Sequence, residues 1–298
     1  MVSQARRWRV RMADVAVVTD STGYLPRALV DKFEITVVSQ YYDVGFGPLR
    51  ESEFDGDFGR FYAELDASKN IATTSAPTID DFVAAFDRLL QQHAAVVSVL
   101  ISSGVSETCS MARQAAAKLE GDRGARVTVI DSAGFGGHLG LQALVAARAA
   151  AGGADPEGVI ERVRQARQEV KGWGLVDTLE YLRRSNRVGS VAAWVGSALD
   201  LKPILAIESE LKAVERVRTR RRGVERLVEL MRQRRAAGAD RWFVQHVHAP
   251  DDAQTLVDRL GTEFGTEPEF VSEVGPVVAT HVGPGTLVVG GLPGSALR

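Results

Sequence analysis

The chain has 298 residues, a formal net charge of −2, 45% hydrophobic residues and one cysteine, Cys109. The near-neutral charge gives no global attraction to nucleic acid or to an anionic membrane, leaving at most transient membrane contact. A single cysteine excludes an internal disulfide, which fits a reducing cytoplasm. The most apolar stretch, 94–101, is far short of the roughly 20 residues that span a bilayer.

Arg6, Arg7, Arg9 and Arg11 imitate the basic start of a signal peptide, but the apolar run behind them, 15–18, is shorter than the about 7–15 residues such a segment needs. Residues 1–13 are therefore expected to be a disordered basic extension, or to lie upstream of a start at Met12. The β-branched run 15–19 predicts a buried strand, 20–23 a turn, 26–33 a helix opened by Pro26, and 35–38 a second strand. Residues 43–56 read as loop, and Phe58, Phe61, Tyr62 and Leu65 fall at helical spacing. The cluster Thr73-Thr74-Ser75-Ala76-Pro77 leads into a helix over 78–92, and a strand over 94–101 follows. After Ser102 to Ser106 come a helix over 107–119, a strand over 127–130, a turn at 131–134 and an alanine-rich helix over 137–150. This alternation predicts a mostly parallel sheet flanked by helices in an α/β domain spanning 14–155. Gly152-Gly153-Ala154-Asp155-Pro156 is the strongest punctuation and the expected domain boundary.

The second half, 156–298, reads as α+β. A charged helix is expected over 157–170, a strand over 173–176, a short helix over 179–183 and an apolar helix over 191–199. Strands over 204–207 and 211–217 pair around Glu208-Ser209-Glu210. A helix over 223–235, a strand over 242–247, a helix over 252–260 and a strand over 269–274 follow. The chain closes on Thr280-His281-Val282-Gly283-Pro284-Gly285, read as a turn with a histidine set against it, and the apolar run 287–289.

Three polar clusters border apolar segments, where α/β proteins place ligands. Ser106 stands where it would cap the following helix, whose free amides favour an anion. A serine hydrolase would use Ser106 as nucleophile and His281 as base, with Asp20 or Asp131 as the orienting acid, but the chain has no Gly-x-Ser-x-Gly elbow. His246 and His248 share one face of a strand without a third ligand, so no metal is expected. Nor does a phosphate-binding glycine loop open a helix. The run Arg216-Val217-Arg218-Thr219-Arg220-Arg221-Arg222 suits phosphate or an acidic partner. Nucleic acid is not expected, because no basic face or reader module accompanies it.

Taken in order, these segments resemble the DegV family over residues 14–290. The resemblance is carried by Val18-Thr19-Asp20-Ser21-Thr22, the Thr-Thr-Ser-Ala-Pro loop, Ser102-Ser103-Gly104-Val105-Ser106-Glu107-Thr108 and Val129-Ile130-Asp131-Ser132. It continues through Leu179-Glu180-Tyr181-Leu182-Arg183-Arg184, Leu201-Lys202-Pro203-Ile204-Leu205, Val217-Arg218-Thr219-Arg220 and the closing histidine segment. It implies a two-domain fold that buries a long-chain fatty acid between the domains, with no further cofactor. Carried over, the carboxylate is held by Thr74, Ser106 and His281, with Ser75, Ser103 and Glu107 around the same head site. It also implies a separate fatty-acid kinase in some bacteria, for which Arg187, Arg218, Arg220 and Arg221 are candidate phosphate or partner contacts. The chain departs from the family pattern at Glu107, Cys109 and Asn186. A carboxylate beside Ser106 would repel a bound carboxylate unless it turned to solvent.

A C16 tail offers about 15 methylene and methyl groups at roughly 0.8 kcal/mol each, so about 12 kcal/mol before association costs. The tail would thus supply affinity, and the hydroxyls need only orient the head. Three function classes fit: a fatty-acid carrier, a Ser106/His281 acyl hydrolase or transferase, and a regulatory protein that binds a partner in a lipid-dependent way.

Overall fold

The computed structural model describes residues 14–54, 56–67, 72–119, 121–187, 191, 194 and 201–297. The basic extension over 1–13 lies outside them, as does the expected helix over 191–199 apart from Val191 and Trp194. The first half comprises β1 (Val15–Asp20), α1 (Arg27–Lys32), β2 (Thr36–Val38), β3 (Tyr41–Asp43), β4 (Leu49–Arg50), α2 (Phe58–Ala67), β5 (Thr73–Ser75), α3 (Ile79–Leu90), β6 (Ala95–Leu100), α4 (Thr108–Lys118), β7 (Val127–Asp131) and α5 (Gly137–Ala151). The second comprises α6 (Pro156–Glu169), β8 (Lys171–Leu175), α7 (Glu180–Arg184), β9 (Lys202–Ile207), β10 (Leu211–Val217), α8 (Arg220–Ala236), β11 (Arg241–His246), α9 (Pro250–Phe264), β12 (Phe270–Glu273), α10 (Pro276–Val282) and β13 (Leu287–Leu292).

Strands β2-β1-β6-β7 form a parallel sheet. Every residue of β1 and β6 is buried, as expected of apolar runs covered on both faces. Ala16, Val18, Val96 and Leu100 point to α3 and α4, where they meet Phe82, Phe86 and Cys109. Val15, Val17, Val97 and Val99 point the other way, to α5 and α6. The second sheet has the order β10-β9-β8-β13-β11-β12, antiparallel except between β11 and β12. One of its faces buries Trp242 and Val244 against Leu227 and Met231 of α8 and Leu256 and Leu260 of α9. The other turns Leu205, Ile207 and Phe243 toward the α5 layer.

Helices α5 and α6 therefore form a layer between two sheets. A helix so enclosed is apolar nearly all round, and α5 exposes almost none of its residues. We propose the domain boundary in the turn between α5 and α6, since the parallel sheet lies wholly before it and the mixed sheet wholly after.

Several expected elements differ. Residues 43–56 are not a plain loop: they contain β4 and a 3-10 turn, Glu51–Glu53. Thr73–Ser75 is a strand rather than a loop, and β4-β3-β5 form a small antiparallel sheet. Thr219 caps α8 by accepting from the Arg222 amide at 3.2 Å, so the helix starts at Arg220 instead of 223. The closing segment is no simple turn: Pro276 opens α10, whose last turn carries His281 and whose end is Gly283.

Candidate functional site

Thr74 is the middle residue of β5, and strand alternation turns it inward while Thr73 and Ser75 stay exposed. His281 approaches from α10, and its Nε2 lies 2.8 Å from Thr74 Oγ1. Its Nδ1 has no hydrogen-bond partner among the described residues. Burial, and then the Arg187 charge, hold the imidazole down at about 4, so it is neutral at pH 7. A neutral ring has one donor and one acceptor nitrogen. Nε2 is engaged by Thr74, and Nδ1 is buried without a partner among the described residues. We expect Arg187→Met to raise the His281 titration midpoint, read by NMR, because it removes a nearby positive charge, though by less than burial lowers it. An unmoved midpoint would mean that burial alone sets it.

Ser106 reaches the same cavity by another route. It does not cap α4: the helix starts at Thr108, with Glu107 at the cap position making no side-chain bond. Ser106 Oγ accepts from the Thr108 amide at 3.3 Å and lies 2.8 Å from Thr108 Oγ1. Thr108 Oγ1 in turn accepts from Gln40 Nε2 at 2.9 Å. Gln40 and Thr108 are buried, so this chain fixes the serine from behind. Gln40 was not among the expected site residues; the signal for it was the polar pair Ser39-Gln40 set between Val37-Val38 and Tyr41-Tyr42. Asp20 anchors the surrounding loops, accepting from the Ile101 amide at 2.7 Å and from Thr22 Oγ1 at 2.5 Å.

Ser103 Oγ donates to the Asp131 carboxylate, so its hydroxyl is committed within the loop although the residue lines the cavity. Ser75 and Glu107 are exposed and sit on the cavity wall. Ser102 Oγ donates to the Ser209 carbonyl at 2.6 Å, seating the β9–β10 turn on the serine loop.

The cavity itself has a volume of about 720 Å³, in the range of small-molecule sites. Thr74, Ser106, His281 and Arg187 share its lining with Ile101, Val105, Leu182 and Val277. Its inner wall, at Phe135, Leu211, Val278 and Val282, also lines a narrow apolar space of about 20 Å³ against Val176, Leu205, Ile207 and Val288 of the mixed sheet. The cavity thus mixes polar and apolar lining and adjoins a narrow, mostly apolar space against the mixed sheet.

The basic run stands apart: none of Arg218, Arg220 and Arg221 lines the cavity, whereas Arg187 does. Arg220 donates through Nε to Asp252 at 2.6 Å and through Nη1 to Asp177 at 2.8 Å and to the Gly285 carbonyl at 2.7 Å. It therefore ties α8 and α9 to the turn behind His281. Arg218 and Arg221 are exposed. Among the described residues no cluster of three metal-ligating side chains occurs, and no helix is long and apolar enough to cross a membrane.

Comparison with known proteins shows the family and the fold. A family model described as an uncharacterised protein of the DegV family matches residues 14–293. The chain is 30% identical over 282 residues to protein DegV of Bacillus subtilis, covering 92% of this chain and 97% of that protein. It is 34% identical over 278 residues to a DegV domain-containing protein of Streptomyces coelicolor, covering 92% and 97%. Its structure is similar to that of a DegV family protein of Thermus thermophilus described by its fatty acid binding, with a TM-score of 0.84, 28% identity and coverage of 94% of this chain and 99% of that one. The structure of DegV of Bacillus subtilis, described as a fatty acid binding protein, gives a TM-score of 0.83 at 29% identity, covering 93% and 99%. The chain belongs to the DegV family.

Proposed function

We propose that the protein binds a long-chain fatty acid, with its carboxylate at Thr74, Ser106 and His281 and its tail between the sheets. The observation that carries this is the Thr74–His281 pair in a cavity that also presents Ile101, Val105, Leu182 and Val277 and adjoins a narrow, mostly apolar space. A ligand with one polar end and a long hydrocarbon body fits that mixed lining, and the fatty-acid-binding relatives support it. The head site is built of neutral donors, with Arg187 supplying a nearby positive charge. A carboxylate left at the mouth is open to a separate kinase, and we assign Arg187, Arg218 and Arg221 as the exposed cations facing such a partner.

A hydrolase is less well supported. His281 is engaged by Thr74, and its Nδ1, where a triad acid would bind, has no partner among the described residues. Asp20 and Asp131, the two candidate acids, are spent on their own loops.

Mass spectrometry of lipid released from the denatured protein tests the carrier reading; finding no acyl chain, together with no saturable oleate binding, would end it. Thr74→Val removes the hydroxyl and keeps the shape. It should weaken oleate binding about 10-fold, the worth of one lost hydrogen bond in a dry site, as read by displacement of a fluorescent fatty acid.

A further inference from the structure

We propose that Glu51 and Tyr24 are positioning residues for the head site: they cap α10 from the other half of the molecule and so set where His281 stands. The proposal rests on the reading of His281 as a head-group ligand.

Helix α10 is short and has no cap of its own, since Gly275 offers no side chain. Its free first-turn amides are satisfied from far away in sequence. The Val277 amide donates to Glu51 Oε1 at 2.8 Å, and the Val278 amide donates to Tyr24 Oη at 3.0 Å. Tyr24 itself donates to Glu51 Oε1 at 2.9 Å. The two caps thus form one unit.

That unit continues toward the other side of the cavity. Glu51 Oε2 accepts from Ser21 Oγ at 2.5 Å, and Ser21 Oγ accepts from the Gln40 amide at 3.0 Å. Gln40 is the residue whose side chain holds Thr108, which holds Ser106. One buried network therefore reaches His281 through a helix and Ser106 through a glutamine.

The geometry is sensitive. His281 lies four residues after Val277, about 6 Å along the axis, and a slip of one residue would swing its ring by about 100°. Glu51 is buried, with no cationic partner among the described residues. Desolvation, with Asp20 adding to it against three donated hydrogen bonds, lifts the carboxyl to about 7. Glu51 and Glu273 line a second cavity, of about 340 Å³, together with Asp20 and Tyr24. Helix capping alone does not need such a group, because a serine or aspartate at position 275 would serve locally.

The test uses Glu51→Gln and Tyr24→Phe, which keep the volume, with Leu29→Ala in α1 as a packing control. The readouts are the His281 titration midpoint by NMR on lipid-free protein, the oleate dissociation constant and the melting temperature. We expect both variants to fold, to move the His281 midpoint toward its ordinary value and to weaken oleate binding about 10-fold. Leu29→Ala should lower the melting temperature and leave the midpoint in place. An unchanged His281 midpoint in Glu51→Gln and Tyr24→Phe would overturn the proposal, as would an equal shift in the control. If the unsubstituted protein binds no oleate, the carrier reading fails, and the His281 midpoint still decides whether Glu51 and Tyr24 position the ring.

Discussion

Gly283→Val is expected to destabilise the protein by about 3–5 kcal/mol and, on the proposed function, to abolish fatty-acid capture. Gly283 has φ 79° and ψ 164°, a region open essentially to glycine alone, and a side chain there costs about 1–3 kcal/mol in strain. Its Cβ would also stand 2.3 Å from the Tyr181 ring, so α7 would have to move, at a similar cost for an overfilled core. The damage falls two residues from His281. Gly238→Ala separates the two effects: φ there is 100°, but nothing lies within 4 Å of the added carbon, so only the strain remains. Urea unfolding should show the valine variant losing at least twice as much stability as the alanine one. Equal losses would mean that Tyr181 yields freely, and that the turn behind His281 does not depend on tight packing.

Acid should destabilise the protein through His138. This residue of α5 is buried between the sheets, and burial, with a smaller contribution from Lys171, drives its imidazole down to about 3. In the unfolded chain it titrates near 6.5. Between those values the unfolded state binds a proton that the folded state refuses, so stability falls as pH falls. Each pH unit is worth about 1.4 kcal/mol, so lowering the pH from 6.5 to 4 should remove about 3 kcal/mol through this group. His281 acts in the same direction. Glu51 opposes both, since its raised carboxyl takes up a proton in the folded state first. The clean measurement is the difference between the unsubstituted protein and His138→Gln, followed by urea unfolding across that range. It should shrink by about 3 kcal/mol toward pH 4. A constant difference would show that His138 protonates as easily in the fold as outside it.

The regular elements were legible where one physical signal dominated. The runs at β1 and β6 announce buried parallel strands, because they are short, rich in β-branched residues and apolar on both faces. Gly152 to Pro156 announces the break between α5 and α6. Short elements were not legible. Thr73–Ser75 carries no apolar pattern, and it is a strand only because β3 offers its edge. The helix under His281 was hidden for a related reason: its caps, Glu51 and Tyr24, are more than 220 residues away in sequence. Thr74, Ser106 and His281 were singled out by resemblance, since they sit in recognisable motifs, and the fold brings all three to one cavity. Gln40 was not, because a buried glutamine reveals its partner only once the chain has folded. Arg220 stands in a basic run that suits phosphate or an acidic partner, yet it pairs with Asp177, after β8, and with Asp252, in the first turn of α9, both distant in sequence.

The separation of 207 residues between Thr74 and His281 has a consequence for synthesis. The histidine arrives on α10, close to the C-terminal end, while threonine and serine lie on segments made far earlier. On the proposed function, a nascent chain that has not yet made α10 lacks one of the three groups assigned to the head site, so lipid capture would wait until that helix has been made.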